Sequence, residues 1–376
     1  MKVSCLQENL ARGLSIVARA VAARSTLPVL ANVLLATDNG RLRLTATNLE
    51  MGISCWIGAK IEDEGATTAP ARTLVDLVNT LPNDRVDMDL VVRTQTLNVR
   101  CGSFNNDLKC IDAQEFPPLP QASEDEGLTL NVDDLKEMIA QVAFAASTDD
   151  ARPVLTGVLL DVEDGRMTLA AADGFRLSVR TAHLSTPGVR LRAIVPARAL
   201  AELARILGDG DETVSMVMPA NRGQVVFRSK NVELVSQLIE GNFPDYQGII
   251  PTTRATRTVL PTASFLKACK AADIFAREAA HSARLRITPG SELEPGRMTV
   301  SATSAETGSN ETEVDATVEG GPIEIAFNVR FLVDVLGIVD TPNVALETNT
   351  AASPGVLRPV GRDDFLHVVM PMHLGR

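Results

Sequence analysis

The chain repeats itself. PVLANVLLATDNGRLRLTATN from Pro28 and PVLTGVLLDVEDGRMTLAAAD from Pro153 align at one constant offset, pairing Pro28 with Pro153, Gly40 with Gly165, Leu44 with Leu169 and Asn48 with Asp173. The match continues to Pro-Ala-Arg at Pro70 and Pro196, then to Phe-Pro at Phe116 and Phe243. A third, weaker copy places Gly296 and Arg297 against Gly165 and Arg166, and the segment from Ala326 against that from Val195. It closes on VVMPMHL where the second copy closed on NFP. Matched sites in one order imply one supersecondary unit used three times.

Each copy has the same plan. A helix comes first, with Leu10, Leu14, Val17 and Val21, or Leu135, Ile139 and Val142, at helical spacing. Asp133 or Asp134 is the expected cap of the second of these. Alternating strands follow, joined by Asp38-Asn39-Gly40 and Glu163-Asp164-Gly165. A second helix opens near Pro70, Pro196 or Asn328, with proline in its first turn, and buries Leu74, Val78 and Leu81 or Leu200, Leu203 and Leu207. The helices are predicted at 7–24, 71–81, 131–147, 197–207, 262–277 and 328–339. Pro117-Pro118-Leu119-Pro120 with the polar run 121–127, and the segment 246–257, read as linkers. The boundaries fall near 122 and 254, giving α+β domains at 1–121, 122–253 and 254–376, within the usual domain size.

Signatures of chemistry are missing. The chain has neither GxxxxGK[ST] nor GxGxxG, and no serine in GxSxG. Gly208-Asp209-Gly210 reads as a turn after a helix. His183, His281, His367 and His373 are isolated and read as surface or packing residues. Asp149-Asp150 reads as a solvated turn or cap. No cofactor or metal is expected, and an enzyme ranks last among the readings. Cys5, Cys55, Cys101, Cys110 and Cys269 lie far apart, as free thiols of a reducing cytoplasm do. Glu8 and Arg12 interrupt any apolar leader, and no run is long enough to span a membrane.

The net charge of −11 opposes contact with nucleic acid unless the charges are segregated. They are, in part. The six predicted helices hold eleven basic residues (among them Arg72, Arg205, Lys267 and Arg277) and eight acidic ones, a net of +3, which leaves −14 for the remainder. The second copy's first helix is itself acidic. For any single arginine, a solvated helix face and a phosphate contact both stay open.

Together the threefold pattern, ASTDDARPVLTGVLL, ADGFRLSV, GNFPDYQGIIP and VVMPMHL resemble the bacterial DNA polymerase III beta subunit, the DNA sliding clamp, over the whole chain. The resemblance implies three DNA-clamp domains per chain and a ring-forming homodimer. The ring would encircle duplex DNA without reading sequence and tether the replicative polymerase, with the clamp loader and other clamp-motif proteins as further partners. Arg24, Arg152 and Arg198 are the residues it turns toward DNA. It places a partner-peptide pocket at Leu155, Ala172, Gly174, Phe175, Arg176, Leu177, Pro244, Ile249, Ser353, Val368, Met370, Pro371 and Met372, where Arg176 would orient the peptide. Leu155, Leu177, Val368 and Met370 read equally well as core, and Asp173-Gly174 as a turn only. The dimer seam would use Phe104 and Leu108 on one side, Ile274 and Phe275 on the other, with Arg100, Arg277, Glu306 and Glu311 as ion-pair candidates. The sequence departs from the family where Ala172 stands for threonine, Phe175 for histidine, and Gly248 and His373 for arginine. A three-repeat protein-binding scaffold that never encircles DNA is the alternative, favoured by the acidic surface, and a repair clamp is the variant within the family.

Overall fold

The computed structural model describes residues 1–22, 26–119, 127–184, 189–208, 212–219, 223–292 and 294–373. The expected turn at Asp209-Gly210 and the run 121–126 lie outside them. Two compact units make up the chain: residues 1–135 with 199–238, and residues 136–198 with 239–376. Both cuts pass through the second copy. Its outer strands pair with the first copy and its inner strands with the third, so the sheets run across the repeats.

In the first unit, five antiparallel strands lie in the order Lys60–Asp63, Lys2–Leu6, Arg85–Val91, Thr96–Cys101 and Phe104–Lys109. An eight-stranded sheet begins with Leu128–Asn131, Thr213–Val217, Gln224–Arg228 and Val232–Gln237 of the second copy. It continues through Met51–Gly58, Arg41–Thr47, Asn32–Asp38 and Ala66–Pro70 of the first. The seam between copies runs from Val232 opposite Cys55 to Ser236 opposite Met51.

The second unit holds one thirteen-stranded sheet. Arg176–His183 of the second copy meets Phe365–Val369 of the third, from Arg176 opposite Val369 to Arg180 opposite Phe365. The long strand Gly308–Gly320 pairs through its first part with Gly296–Ser304 and through its end with Thr256–Pro261.

Among the described residues six helices cover the sheets: α1 (Gln7–Val17), α2 (Ala71–Thr80), α3 (Val132–Val142), α4 (Ala197–Ile206), α5 (Thr262–Ala276) and α6 (Val329–Leu336). Their apolar stripes are the predicted ones except at Val21, which lies beyond α1 and its 3₁₀ turn and is half-buried. Leu10, Leu14, Val17, Leu74 and Val78 are fully buried, and Leu135, Ile139, Val142, Leu200 and Leu203 nearly so. Each such leucine contributes about 2 kcal/mol of burial. Aliphatic packing dominates the cores because the chain carries one Trp and one Tyr.

Several local expectations need correction. Helices 7–24 and 131–147 end early, at Val17 and Val142, and tighten into the 3₁₀ turns Ala18–Ala20 and Ala143–Ala145. In the first case Ala22 N–H donates to the Leu30 carbonyl, so the chain must leave the helix axis to close that loop. Asn131, not Asp133 or Asp134, caps α3: its Oδ1 accepts from the Asp134 N–H at 3.0 Å. Pro70 caps α2 from outside its first turn, which starts at Ala71. Asn328 caps α6 by accepting from the Arg330 N–H. The two hairpin turns are as read: Asn39 and Gly40 have φ of 49° and 73°, Asp164 and Gly165 have 50° and 73°. Two consecutive positive φ angles make the type I′ turn that matches strand twist. In the third copy Thr288 pairs with Arg297 across a longer loop.

Candidate functional site

The second unit's seam brings the chain segments Asp173–Leu177 and Val368–His373 together. Asp173 folds the first of these into a turn: its Oδ1 accepts from the N–H groups of Phe175 (2.9 Å) and Arg176 (3.0 Å). Gly174 has φ +95°, so the turn needs glycine there. Phe175 is left pointing outward, 60% exposed, while its carbonyl accepts from the Met370 N–H at 2.8 Å.

Arg176 is engaged within the chain. Its Nε donates to Asp173 Oδ2 (3.0 Å), Nη1 to Asp334 Oδ2 (2.6 Å) and Nη2 to the Phe144 carbonyl (2.9 Å). The guanidinium also lies 4.5 Å from the Phe331 ring centroid and 5.4 Å from that of Phe144. Arg176 therefore fixes the turn that presents Phe175.

A groove of about 1070 Å³ opens beside that turn. Phe175, Met370, Pro371 and Met372, four of the expected pocket residues, line it together with Phe331, Ala302 and Ala326. Its polar wall is Ser282, Arg284, Arg286, Asn328 and His373. Arg284 and Arg286 both pair with Glu324, at 3.0 and 3.2 Å. Apolar anchors with flexible methionine and a few polar groups suit a peptide segment. The sequence reading missed Phe331, Arg284 and Arg286. Their signals were an aromatic on α6 and two arginines alternating on the exposed face of Ser282–Thr288.

The other predicted pocket residues lie elsewhere in the unit. Leu177 and Val368 are 2% and 1% exposed and belong to a core cluster with Phe243, Tyr246 and Val179. Ala172 packs against that cluster. Leu155 and Ser353 are half-buried, and Gly174, Pro244 and Ile249 are exposed. Arg152 is exposed beside the same turn. It pairs with Asp149 at 3.6 Å, and its Nη1 lies 3.1 Å from where a Gly174 Cβ would stand, so it borders the Phe175 turn. Asp149-Asp150 is a turn: Ser147 Oγ accepts from the Asp149 N–H, and Asp149 Oδ1 accepts from the Ala151 N–H.

Behind the turn lies a polar seam. His367 is fully buried, stacked 5.4 Å from Phe144, with Nδ1 2.6 Å from Ser178 Oγ. Burial, assisted by the nearby positive charge of Arg176, pushes its pKa down to about 3. Next to it Arg180, 5% exposed, contacts Glu137 and Asp364, and Arg362 Nη1 donates to Glu137 at 2.6 Å. Burial alone would raise the Glu137 and Asp364 carboxyls. The Arg362 hydrogen bonds, with the charges of Arg362 and Arg180, outweigh it and hold both low.

The family models for the N-terminal, central and C-terminal domains of the DNA polymerase III beta subunit match residues 1–120, 129–245 and 247–373. The chain belongs to that family. A beta sliding clamp of Synechococcus elongatus is 35% identical over 378 residues, covering 100% of both chains. One of Staphylococcus aureus is 31% identical over 363 residues, covering 94% of each. Among solved structures, the sliding clamp of Bacillus subtilis aligns with a TM-score of 0.93 at 28% identity, over 100% of both chains. A Pseudomonas aeruginosa sliding clamp bound to griselimycin aligns at 0.91 and 31% identity, again over 100% of both. The fold is accordingly three clamp domains of helices on antiparallel sheet.

The helix cations of this family member face solvent. Arg72 (97% exposed at its side chain), Arg198, Lys267 and Arg277 are exposed, as is Arg205. Arg205 and Arg19 flank Glu202 at 2.7 and 3.1 Å, which cancels part of the charge there. Arg24 lies outside the described residues. Among the dimer candidates, Phe104 and Ile274 are 44% and 56% exposed. Leu108 is 8% exposed and faces its own core, and Phe275 packs on the third copy's core. Arg100 Nε donates to Asn105 Oδ1 at 3.3 Å, Arg277 belongs to a 3₁₀ turn after α5, and Glu306 and Glu311 are exposed.

Proposed function

We infer that the chain is a DNA sliding clamp: a protein without catalytic chemistry, two copies of which close into a ring around duplex DNA. The groove beside Phe175 and Met370 then holds the polymerase and other replication and repair proteins, with a clamp loader opening the ring. One observation carries the ring, the repetition of a single seam. Val232–Ser236 adds to Met51–Cys55, and Phe365–Val369 adds to Arg176–Arg180 in the equivalent register. Following the ladders through each copy, the remaining equivalents are Phe104–Leu108 and Gly308–Thr312. Both are edges: Phe104–Lys109 ends its sheet, and the first part of Gly308–Gly320 is paired on one side only. Open edges are best paired. Head-to-tail association of two chains joins them twice and pairs both edges, with Phe104 opposite Thr312 and Leu108 opposite Gly308. Arg100 then stands in the same row as Glu311, two of the four ion-pair candidates for the seam.

Within such a ring a few exposed helix cations give weak phosphate contacts without base readout. Retention is topological, and the tethered polymerase sees DNA at high effective concentration. The domain boundaries near 122 and 254 fit this reading. Free, mostly buried thiols fit a reducing cytoplasm. The net charge of −11 favours the rival, a protein-binding scaffold that never holds DNA. Loading the protein on nicked circular DNA and then linearising the circle separates the two. A clamp stays through a high-salt wash and escapes on linearisation; a scaffold is never retained. Cysteines at Phe104 and Thr312 should cross-link two copies, and failure to do so would sink the register.

A further inference from the structure

The first unit carries a second pocket, about 570 Å³, on the sheet face opposite α1. Arg41 and Arg43 alternate with the buried Leu42 and Leu44, so they share the outer face, and Arg43 lies opposite Trp56 in the ladder. The strand after the seam adds Glu233, its hairpin partner adds Arg228, and Lys230 sits at the turn between them. The linker residues Phe116, Pro117, Pro118 and Leu119 form a less polar wall.

Four cations thus meet two carboxylates in a protein whose net charge is −11. Both carboxylates are already engaged. Asp38 Oδ2 accepts from Trp56 Nε1 at 2.7 Å and lies 3.6 Å from Arg43; Glu233 holds Arg228 through Nε and Nη2 at 2.8 and 2.6 Å. The cations are not all satisfied. Arg43 Nε is buried with no acceptor. Arg41 stacks over Trp56 and donates only to the neutral amide of Asn231 at 3.3 Å. Lys230 makes no side-chain contact with an acid among the described residues.

We propose that this pocket binds a small anion carrying two or more phosphoryl groups, a pyrophosphate or the polyphosphate end of a nucleotide. Among the described residues, a surplus of two positive charges and a buried arginine donor without an acceptor match a multiply charged oxyanion, because the guanidinium fork fits phosphate oxygens. The volume falls in the range of small-molecule sites. The equivalent pocket of the second copy holds Asp161, Glu163, Asp164 and only one arginine, Arg166, so it lacks this surplus of positive charge.

Trp56 is the only tryptophan in the chain, so its fluorescence reports this pocket directly. The full-length protein is titrated with inorganic pyrophosphate, with a deoxynucleoside triphosphate and with sulfate, by fluorescence and by calorimetry. Saturable binding of either phosphate compound is expected, and the tighter of the two names the source of the phosphoryl groups. Arg43→Ala and Lys230→Ala should each weaken it about tenfold, the loss of one charge-assisted hydrogen bond. Both positions are partly or fully exposed, so the variants should fold, and their retention on circular DNA should be unchanged. Absence of saturation, sulfate binding as tightly, or wild-type affinity in both variants would overturn the proposal and leave the clamp reading intact.

Discussion

Acidification should loosen the seam between the second and third copies through His367. The imidazole is fully buried and held neutral, with its pKa down at about 3 against the ordinary 6.5. In the unfolded chain it takes up a proton once the pH drops below 6.5. The unfolded state then binds more protons than the folded one, so stability falls with falling pH across the window from 6.5 to about 3. At about pH 5 the ring alone accounts for a loss of roughly 2 kcal/mol, at about 1.4 kcal/mol per pH unit. The carboxylates do not confuse this reading. Glu137 and Asp364 have lowered pKa values, so their contribution is complete above the ordinary 4.5 and 3.8 and is lost only further down. Urea midpoints measured between about pH 7 and pH 5 on wild type and on His367→Asn separate the terms, because Asn keeps a partner for Ser178 and cannot titrate. The variant should be less stable at neutral pH yet lose the slope in this window. Equal slopes in both proteins would show that His367 is not the titrating group and that its site is open to water.

Four further outcomes follow from the same geometry. Arg176→Met should lower stability by about 3 kcal/mol, since it removes the guanidinium donor to Asp173 Oδ2, Asp334 and the Phe144 carbonyl, and a reduced urea midpoint measures it. Phe175→Ala with Met370→Ala should weaken binding of a polymerase-derived peptide by at least about tenfold, two apolar anchors lost, while the dimer sizes normally. Arg72→Ala with Arg198→Ala should reduce the slope of log affinity for duplex DNA against log salt by about 2; an unchanged slope would remove both from the DNA-facing set. Phe104→Asp should shift the dimer toward monomer in sedimentation, because it places a charge in the seam.

Much of the fold was legible because repeats and periodicity are properties of sequence. The Asn39-Gly40 and Asp164-Gly165 turns could be read from residue type, since only such pairs enter positive φ without strain. The helix stripes from Leu10 to Val17 and from Leu74 to Val78 were read from spacing and are buried as expected. Helix ends were harder, because they depend on where the chain must go next: Val17 closes α1 so that Ala22 can reach Leu30. The groove was half legible. Phe175, Met370, Pro371 and Met372 came from motifs at the two strands that meet, whereas Phe331, Arg284 and Arg286 come from elements with no motif to mark them.

Residue type and spacing therefore set the unit, its three-fold use, its apolar faces and the turn residues, since these depend on neighbours within a few positions. Tertiary structure alone decided which strand edges meet, that Arg176 turns inward to Asp173 and Asp334, that Arg152 borders Gly174, and that His367 is sealed without charge. Those outcomes join residues more than a hundred positions apart in several cases, and side-chain type does not say which distant partner will arrive. Long-range pairing and the exclusion of water set the chemistry of each group, and both exist only once the sheets have closed.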